Sequence, residues 1–439
     1  MTRLLRKSFT TVAISITTAL SIFNTPAFAH NGEHHEQPDP VEPTPVEPID
    51  VNTKLDIRKN VLDLNSAEKS AFVDALYTLK NTTLEGSTIS IYDQFVAQHV
   101  ASMGMMMMDA VGIGAGHDAA HHHDAFLPWH REYIHRFEKT LQSVNPNITL
   151  PYWDWTDPEA IDFIFQPDFL GTNGSGVILP TPGGGTFEGG PIQTGNFSEA
   201  SGWVLNPNLH IDPITKQTSQ GTSLIRFLKL PPIDQYPIPQ AAVNQLLAHD
   251  NYSDFRLDLE GFAFDQLGNP VFTNHNYIHG LVGGAGFDFS TNPPTPVPIG
   301  TMSGVLSSPY DPVFWLLHTN VDRLWAEWQD NGHSGSAFYP ASGQPYGHNL
   351  NDRMWPWDGG QTTPGMIGPG DVVSLLPLFS SDDLVTPKDT LNFRKYGYTY
   401  DTLVSSVPEP TCLWGVLALG ILGTAVPGKQ KRLGSNGKI

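Results

Sequence analysis

Histidine placement constrains this chain more than any other feature. Of its 17 histidines, several lie inside aromatic, apolar stretches rather than in polar surface sequence. The densest stretch is His121-His122-His123-Asp124-Ala125-Phe126-Leu127-Pro128-Trp129-His130-Arg131. A loop ending at Pro128 presents His121, and a helix with Pro128 in its first turn presents His130. A second stretch reads His275-Asn276-Tyr277-Ile278-His279. Its i, i+4 spacing sets both imidazoles on one helical face, where they can chelate one metal. The third runs Asp311-Pro312-Val313-Phe314-Trp315-Leu316-Leu317-His318-Thr319-Asn320-Val321-Asp322. Taken singly, each has an ordinary reading: two surface histidines on a helix, or one hydrogen-bonded core histidine at 318. Together they point to an all-imidazole site, because the chain has one cysteine, Cys412, and these histidines have no regular carboxylate partner. Neutral nitrogen ligands accept both Cu(I) and Cu(II), so such a site suits copper. Zinc hydrolases usually add a carboxylate base, as in His-Glu-x-x-His, which is absent here. The cysteine count excludes zinc ribbons and an intrachain disulfide.

The rest of the chain reads as one large domain carrying much loop. Its 439 residues are 39% apolar and 15% charged, with 41 glycines and 37 prolines. Helices are expected from a cap at Asn65-Ser66-Ala67-Glu68 to Leu79, over Ile89 to Ala101, and from Pro128 to about Leu141. Shorter pieces fall near Leu257 to Gly261 and Asn274 to Leu281, and a last helix spans Pro312 to Gln329. Two Gly/Pro-rich stretches, 171–195 and 283–304, read as irregular loops framing a site mouth.

Both ends read as addresses. Arg3, Arg6 and Lys7, an apolar run to Phe23, and Ala27-Phe28-Ala29 form a signal-peptide pattern over 1–29, with cleavage expected after Ala29. Residues 30–50 are a His/Pro/Glu-rich linker, and 51–405 the folded domain. Residues 406–439 hold Val407-Pro408-Glu409-Pro410, a short apolar run and a basic cluster at Lys429, Lys431 and Arg432. This order resembles the PEP-type C-terminal sorting signal of Gram-negative bacteria. A plain tail anchor is the other reading. The expectation is export to the periplasm, cell envelope or exterior, with export and sorting machinery as partners.

The histidine segments resemble those of the tyrosinases and related type-3 dicopper proteins, which include polyphenol oxidases, catechol oxidases and haemocyanins. The likeness runs from about Arg58 to Tyr400. It rests on Tyr92-Asp93-Gln94-Phe95-Val96-Ala97-Gln98-His99, on Phe126-Leu127-Pro128-Trp129-His130-Arg131, on His275 and His279, and on Asp311-Pro312-Val313-Phe314 followed by His318 and Asp322. It implies a mainly α fold: an antiparallel four-helix bundle enclosing a dicopper site, with long irregular loops and few short strands. The implied ligands are His99, His121 and His130 for one copper, with His117 as a rival to His99, and His275, His279 and His318 for the other. Leu317 stands where many members carry a histidine, removing one hydrogen-bonding group beside His318. Asp322 is either an orienting partner for a ligand or an ion-pair partner for an arginine. Arg58 and the Tyr398-Thr399-Tyr400 segment match a structural closure of the domain.

The resemblance implies dioxygen-dependent o-hydroxylation of monophenols and oxidation of o-diphenols to o-quinones, with small phenols as substrates. In bacterial members a Glu and the Asn after the first histidine of the second copper hold a water that deprotonates the phenol. Glu260 and Asn276 match them here. Glu260 also reads as a structural helix-end contact. A catechol oxidase or o-aminophenol oxidase lacking the hydroxylation step, and a haemocyanin-like dioxygen carrier, are the alternatives. The formal charge of −20 argues against nucleic acid as a partner. Met103 with Met105 to Met108, and His30, His34 and His35, are candidates for receiving copper from a donor, or else plain packing and tail sequence.

Overall fold

The helix signals organise the chain around the histidine segments. The computed structural model describes residues 54–103, 118–181, 184–212, 220–261, 263–264, 270–271, 273–288, 295–343, 346–361 and 372–406. The expected signal peptide, the linker, Met105 to Met108, His117 and the chain from 407 onward lie outside these residues. In chain order the elements are β1 (Asp56–Arg58), α1 (Ser66–Asn81), α2 (Ile91–Ser102), α3 (Phe126–Val144), α4 (Ala160–Ile164), β2 (Val177–Pro180), β3 (Thr186–Pro191), β4 (Ile225–Arg226), α5 (Gln240–Leu247), α6 (Tyr252–Glu260), β5 (Ala263–Phe264), β6 (Pro270–Val271), α7 (Asn274–Gly283), β7 (Ala285–Asp288), β8 (Thr295–Pro298), α8 (Val313–Trp328), α9 (Pro387–Thr390) and β9 (Tyr398–Tyr400). The fold is mainly helical, with few and short strands.

Capping residues start the helices where the sequence places them. Asn65 accepts from the Ala67 and Glu68 amides, and Glu68 reaches back to the Asn65 amide. Such a cap contributes ~1 kcal/mol. Ser90 caps α2 through the Asp93 amide, and Asn251 caps α6 through the Asp254 amide. The α1 face of Phe72, Ala75, Leu76 and Leu79 is buried, and α1 packs on α2 and α3. Helix α8 is buried on all sides from Val313 to Ala326, as befits a helix at the centre of a core. Both α3 and α7 pack against it.

The expectation of purely irregular loops at 171–195 and 283–304 is corrected. The first contains the β2–β3 hairpin and the second the β7–β8 hairpin. Neither has an alternating apolar pattern, because their cross-strand pairing does not need one: Val177 and Ile178 are exposed. The short helices α4 and α5 are also additions. Only Val243 and Leu246 of α5 are buried, too few to set a period.

Strand β1 pairs in parallel with β9, joining Arg58 to Tyr400 in register. Arg58 is wholly buried and donates to Glu138, to Asp322 Oδ2 at 3.1 Å and to the Tyr400 hydroxyl at 3.1 Å. Arg131 donates to Asp322, to Gln329 Oε1 and to the Thr390 carbonyl. Tyr398 and Tyr400 also donate to Asp322. The reading of Asp322 as a partner for a ligand histidine is therefore corrected. Its carboxylate is filled by two arginines and two tyrosines, and it serves the closure of the domain.

Candidate metal centre

Two groups of three histidines converge in the core. Helix α2 supplies His99, α3 supplies His130, and the turn before α3 supplies His121; one ring nitrogen of each lies within 4.8 Å of the others. Helix α7 supplies His275 and His279, one turn apart, and α8 supplies His318; these three meet the same distance. The groups face each other: the His130 and His318 rings stack with centroids 4.2 Å apart. Phe314, one turn before His318 on α8, packs against His99 of one group and His318 of the other.

The outward nitrogens are held by oxygen acceptors. Nδ1 of His99 faces the Leu306 carbonyl at 3.0 Å, that of His130 the Phe126 carbonyl at 2.8 Å, and that of His279 the Met302 carbonyl at 2.7 Å. His121 Nδ1 faces Asp118 Oδ2 at 3.1 Å. His275 Nδ1 is shared between the Glu260 carbonyl at 3.2 Å and Asn276 Oδ1 at 3.1 Å. An acceptor at Nδ1 requires the proton there, so each Nε2 carries a lone pair. Those lone pairs point inward. Nε2 of His99 and of His130 is buried with no hydrogen-bond partner. His275 Nε2 lies 3.0 Å from His279 Nε2 and 3.2 Å from His318 Nε2. Lone pairs in this arrangement repel one another and are satisfied by a cation between them. The residues present therefore fit one copper ion per triad, with imidazole as the sole ligand type. His318 is the exception in orientation: its Nδ1 is buried without a partner, beside the apolar Leu317.

Burial keeps five of these imidazoles neutral, the form that binds metal. It pushes His99, His130, His275 and His318 well below the ordinary histidine value, and His279 down to about 4. His121 goes the other way: burial opposes protonation, but the Asp118 carboxylate beside it raises its affinity for the proton. Asp118 also accepts from the Ala120 and His121 amides, which fixes the turn carrying the ligand.

A cavity of about 220 Å³ opens on the triads, lined by His121, His275 and His279 and by Glu260 and Asn276. Glu260 is the last residue of α6. Its Oε1 accepts from the His122 amide at 2.7 Å and its Oε2 from Arg256 Nη1 at 2.9 Å. His122 makes that contact from the left-handed region, φ 66°. Glu260 and Asn276 line one cavity because Gly261, at φ 98°, brings the end of α6 against the start of α7. A Cβ at 261 would lie 2.4 Å from the Thr273 carbonyl oxygen and 2.9 Å from the Asn276 Cβ. Only glycine lets the end of α6 meet the start of α7 so closely. Of the two hairpin loops expected at the mouth, the one bearing β7 and β8 lines the cavity through Ala285 and Pro298; no described lining residue comes from 171–195. His123 packs on His348 with the rings tilted, and His135 turns away to Tyr396. Asp118 and Arg256, which bond His121 and Glu260, are supports that the sequence did not single out. Both carry a local signal: Asp118 stands three residues before His121, and Arg256 one helical turn before Glu260.

Residues 89–331 match the family model described as the common central domain of tyrosinase, a span that contains all six converging histidines. The chain is 35% identical over 306 residues to a tyrosinase of Streptomyces glaucescens, covering 69% of this chain and 93% of that protein. It is 33% identical over 324 residues to a tyrosinase of Streptomyces antibioticus, covering 71% and 96%. Among solved structures, it is similar to a polyphenol oxidase from Thermothelomyces thermophila at 21% identity and a TM-score of 0.48, covering 79% of this chain and 88% of that one.

Proposed function

The chain belongs to the tyrosinase family and is a copper oxidoreductase acting on phenols with dioxygen; we propose that it both hydroxylates monophenols and oxidises o-diphenols, with its metal ions held by His99, His121, His130, His275, His279 and His318. The observation that carries the ligand assignment is the set of inward lone pairs on two facing histidine triads. We take α2, α3, α7 and α8, which bear five of the six, as an antiparallel four-helix bundle gathered on α8.

Bound copper supplies the electron exchange with dioxygen. In diphenol oxidation, two catechols each give up two electrons and two protons, and one dioxygen becomes two waters. In the monophenol reaction, one phenol and one dioxygen give one o-quinone and one water. The protein's part is orientation and proton handling. The main-chain carbonyls, Asp118 and Asn276 hold the imidazoles in place, so that little is left to reorganise. Buried apolar walls exclude water and admit a flat ring. A monophenol must shed a proton that titrates near pH ~10 in water. Glu260 and Asn276 border the cavity at the second triad, where they can hold a water that accepts it.

One observation favours the narrower reading of a catechol oxidase. Both Glu260 oxygens already accept a hydrogen bond, from the His122 amide and from Arg256. Each still has a lone pair for a water, and on that basis we keep the hydroxylating reading. The copper-loaded Glu260→Gln and Asn276→Ala variants should lose hydroxylation of p-cresol by about 10²-fold while oxidising catechol within a few-fold of the parent. Equal loss of the two activities would remove the assignment.

A further inference from the structure

Resting on the phenol-oxidase reading, we propose that the cavity selects neutral phenols with a short apolar para substituent and rejects phenols that carry a carboxylate there. The size is one ring and little more. A dry cavity of about 150 Å³ is enough for benzene, and this one is about 220 Å³. Its histidine end is buried, so the partly or fully exposed lining residues mark the mouth. Away from the triads they are Ile233, Tyr277, Pro298 and Val305, with Ala285 just inside; His122 and Asn276, also partly or fully exposed, stand at the triad side.

The described lining residues away from the triads offer an anion no cation. Among the described lining residues there is no lysine or arginine, and the sole carboxylate is Glu260, which repels another. Its cation, Arg256, is already spent on it and is not a lining residue. The polar groups near the mouth are committed to main chain. Tyr277 OH bonds both the Gln235 amide and its carbonyl. Ser303 Oγ accepts from the Ile299 and Gly300 amides, and Ser308 Oγ donates to the Val305 carbonyl. A substrate carboxylate set against Val305 and Ile233 would shed part of its water without gaining a charged partner among the described lining residues, which is costly. An ethyl group in the same place buries apolar surface instead. Asn276 and His122 are polar, but they stand beside the ligand histidines, where the phenol oxygen goes.

The test compares 4-ethylcatechol with 3-(3,4-dihydroxyphenyl)propionate as substrates of the copper-loaded full chain. Each is measured at low salt and at about 0.5 M salt, where the acidic outer surface is screened. The expected result is kcat/KM higher for 4-ethylcatechol by about tenfold or more at both salts, and a narrower ratio in Val305→Arg. Equal kcat/KM, or a preference that vanishes in salt, overturns the proposal. So does an unchanged ratio in a Val305→Arg protein that still oxidises 4-ethylcatechol. If the copper-loaded chain oxidises neither catechol, the phenol-oxidase reading itself has failed.

Discussion

Asp118 does for His121 what main-chain carbonyls do for four of the other proposed ligands, but it brings a negative charge. The first triad therefore has a carboxylate-backed imidazole, and the second has none. A ligand oriented by a carboxylate is a better donor, and loss of such a partner typically costs 10–100-fold in metal affinity. Asp118→Asn should accordingly weaken copper binding at one site of the two by about that factor. Stepwise copper release to a chelator would then show one early and one late ion; release indistinguishable from the parent would refute the role. At this scale the sequence was informative about ligands and silent about their supports. The imidazoles announce themselves by residue type and spacing. Their acceptors at Leu306, Met302 and Phe126 are main-chain carbonyls, which any side chain could accompany.

Among the elements, the β1–β9 pair and α8 form the closure that keeps the site in shape. Asp322 lies on α8 one turn after His318 and takes Arg58 from the start of the domain, Arg131 from α3, and two tyrosines from its end. Asp322→Asn would leave the buried Arg131 guanidinium without its anion and Arg58 with Glu138 alone, at a cost of roughly 3–5 kcal/mol. Thermal unfolding should record it as a large drop in Tm; a shift of a degree or two would contradict it. The pH dependence has a definite sign. Burial works against the Asp322 carboxylate, but Arg131 and Arg58 hold it below the usual range. Its contribution is thus complete above about pH 4 and is lost as pH falls through the lowered value. The parent should lose stability on acidification more steeply than Asp322→Asn. The helices themselves were legible, because caps such as Asn65 and the apolar run Val313 to Leu317 that opens α8 are local signals. The hairpins were not: β2–β3 is exposed on one side and rich in glycine, so neither period nor composition marks it.

For the whole molecule, we propose that copper completes the cluster of six imidazoles. Removing copper should lower Tm, and restoring it should raise Tm with metal concentration, since a ligand that binds only the folded state stabilises it by mass action. A Tm indifferent to copper would mean that the triads do not hold it. Export with cleavage after Ala29 is our proposal for the cell, and N-terminal sequencing of the mature protein should begin at His30. The central claim concerns the triads acting together. Its most direct test is a titration of copper into the apo-protein, followed by oxygen uptake with catechol. Uptake should rise to a break at two coppers per chain and then stay flat, with His275→Ala giving none at any ratio. A break at one copper, or catechol-dependent uptake that survives in His275→Ala, would contradict it.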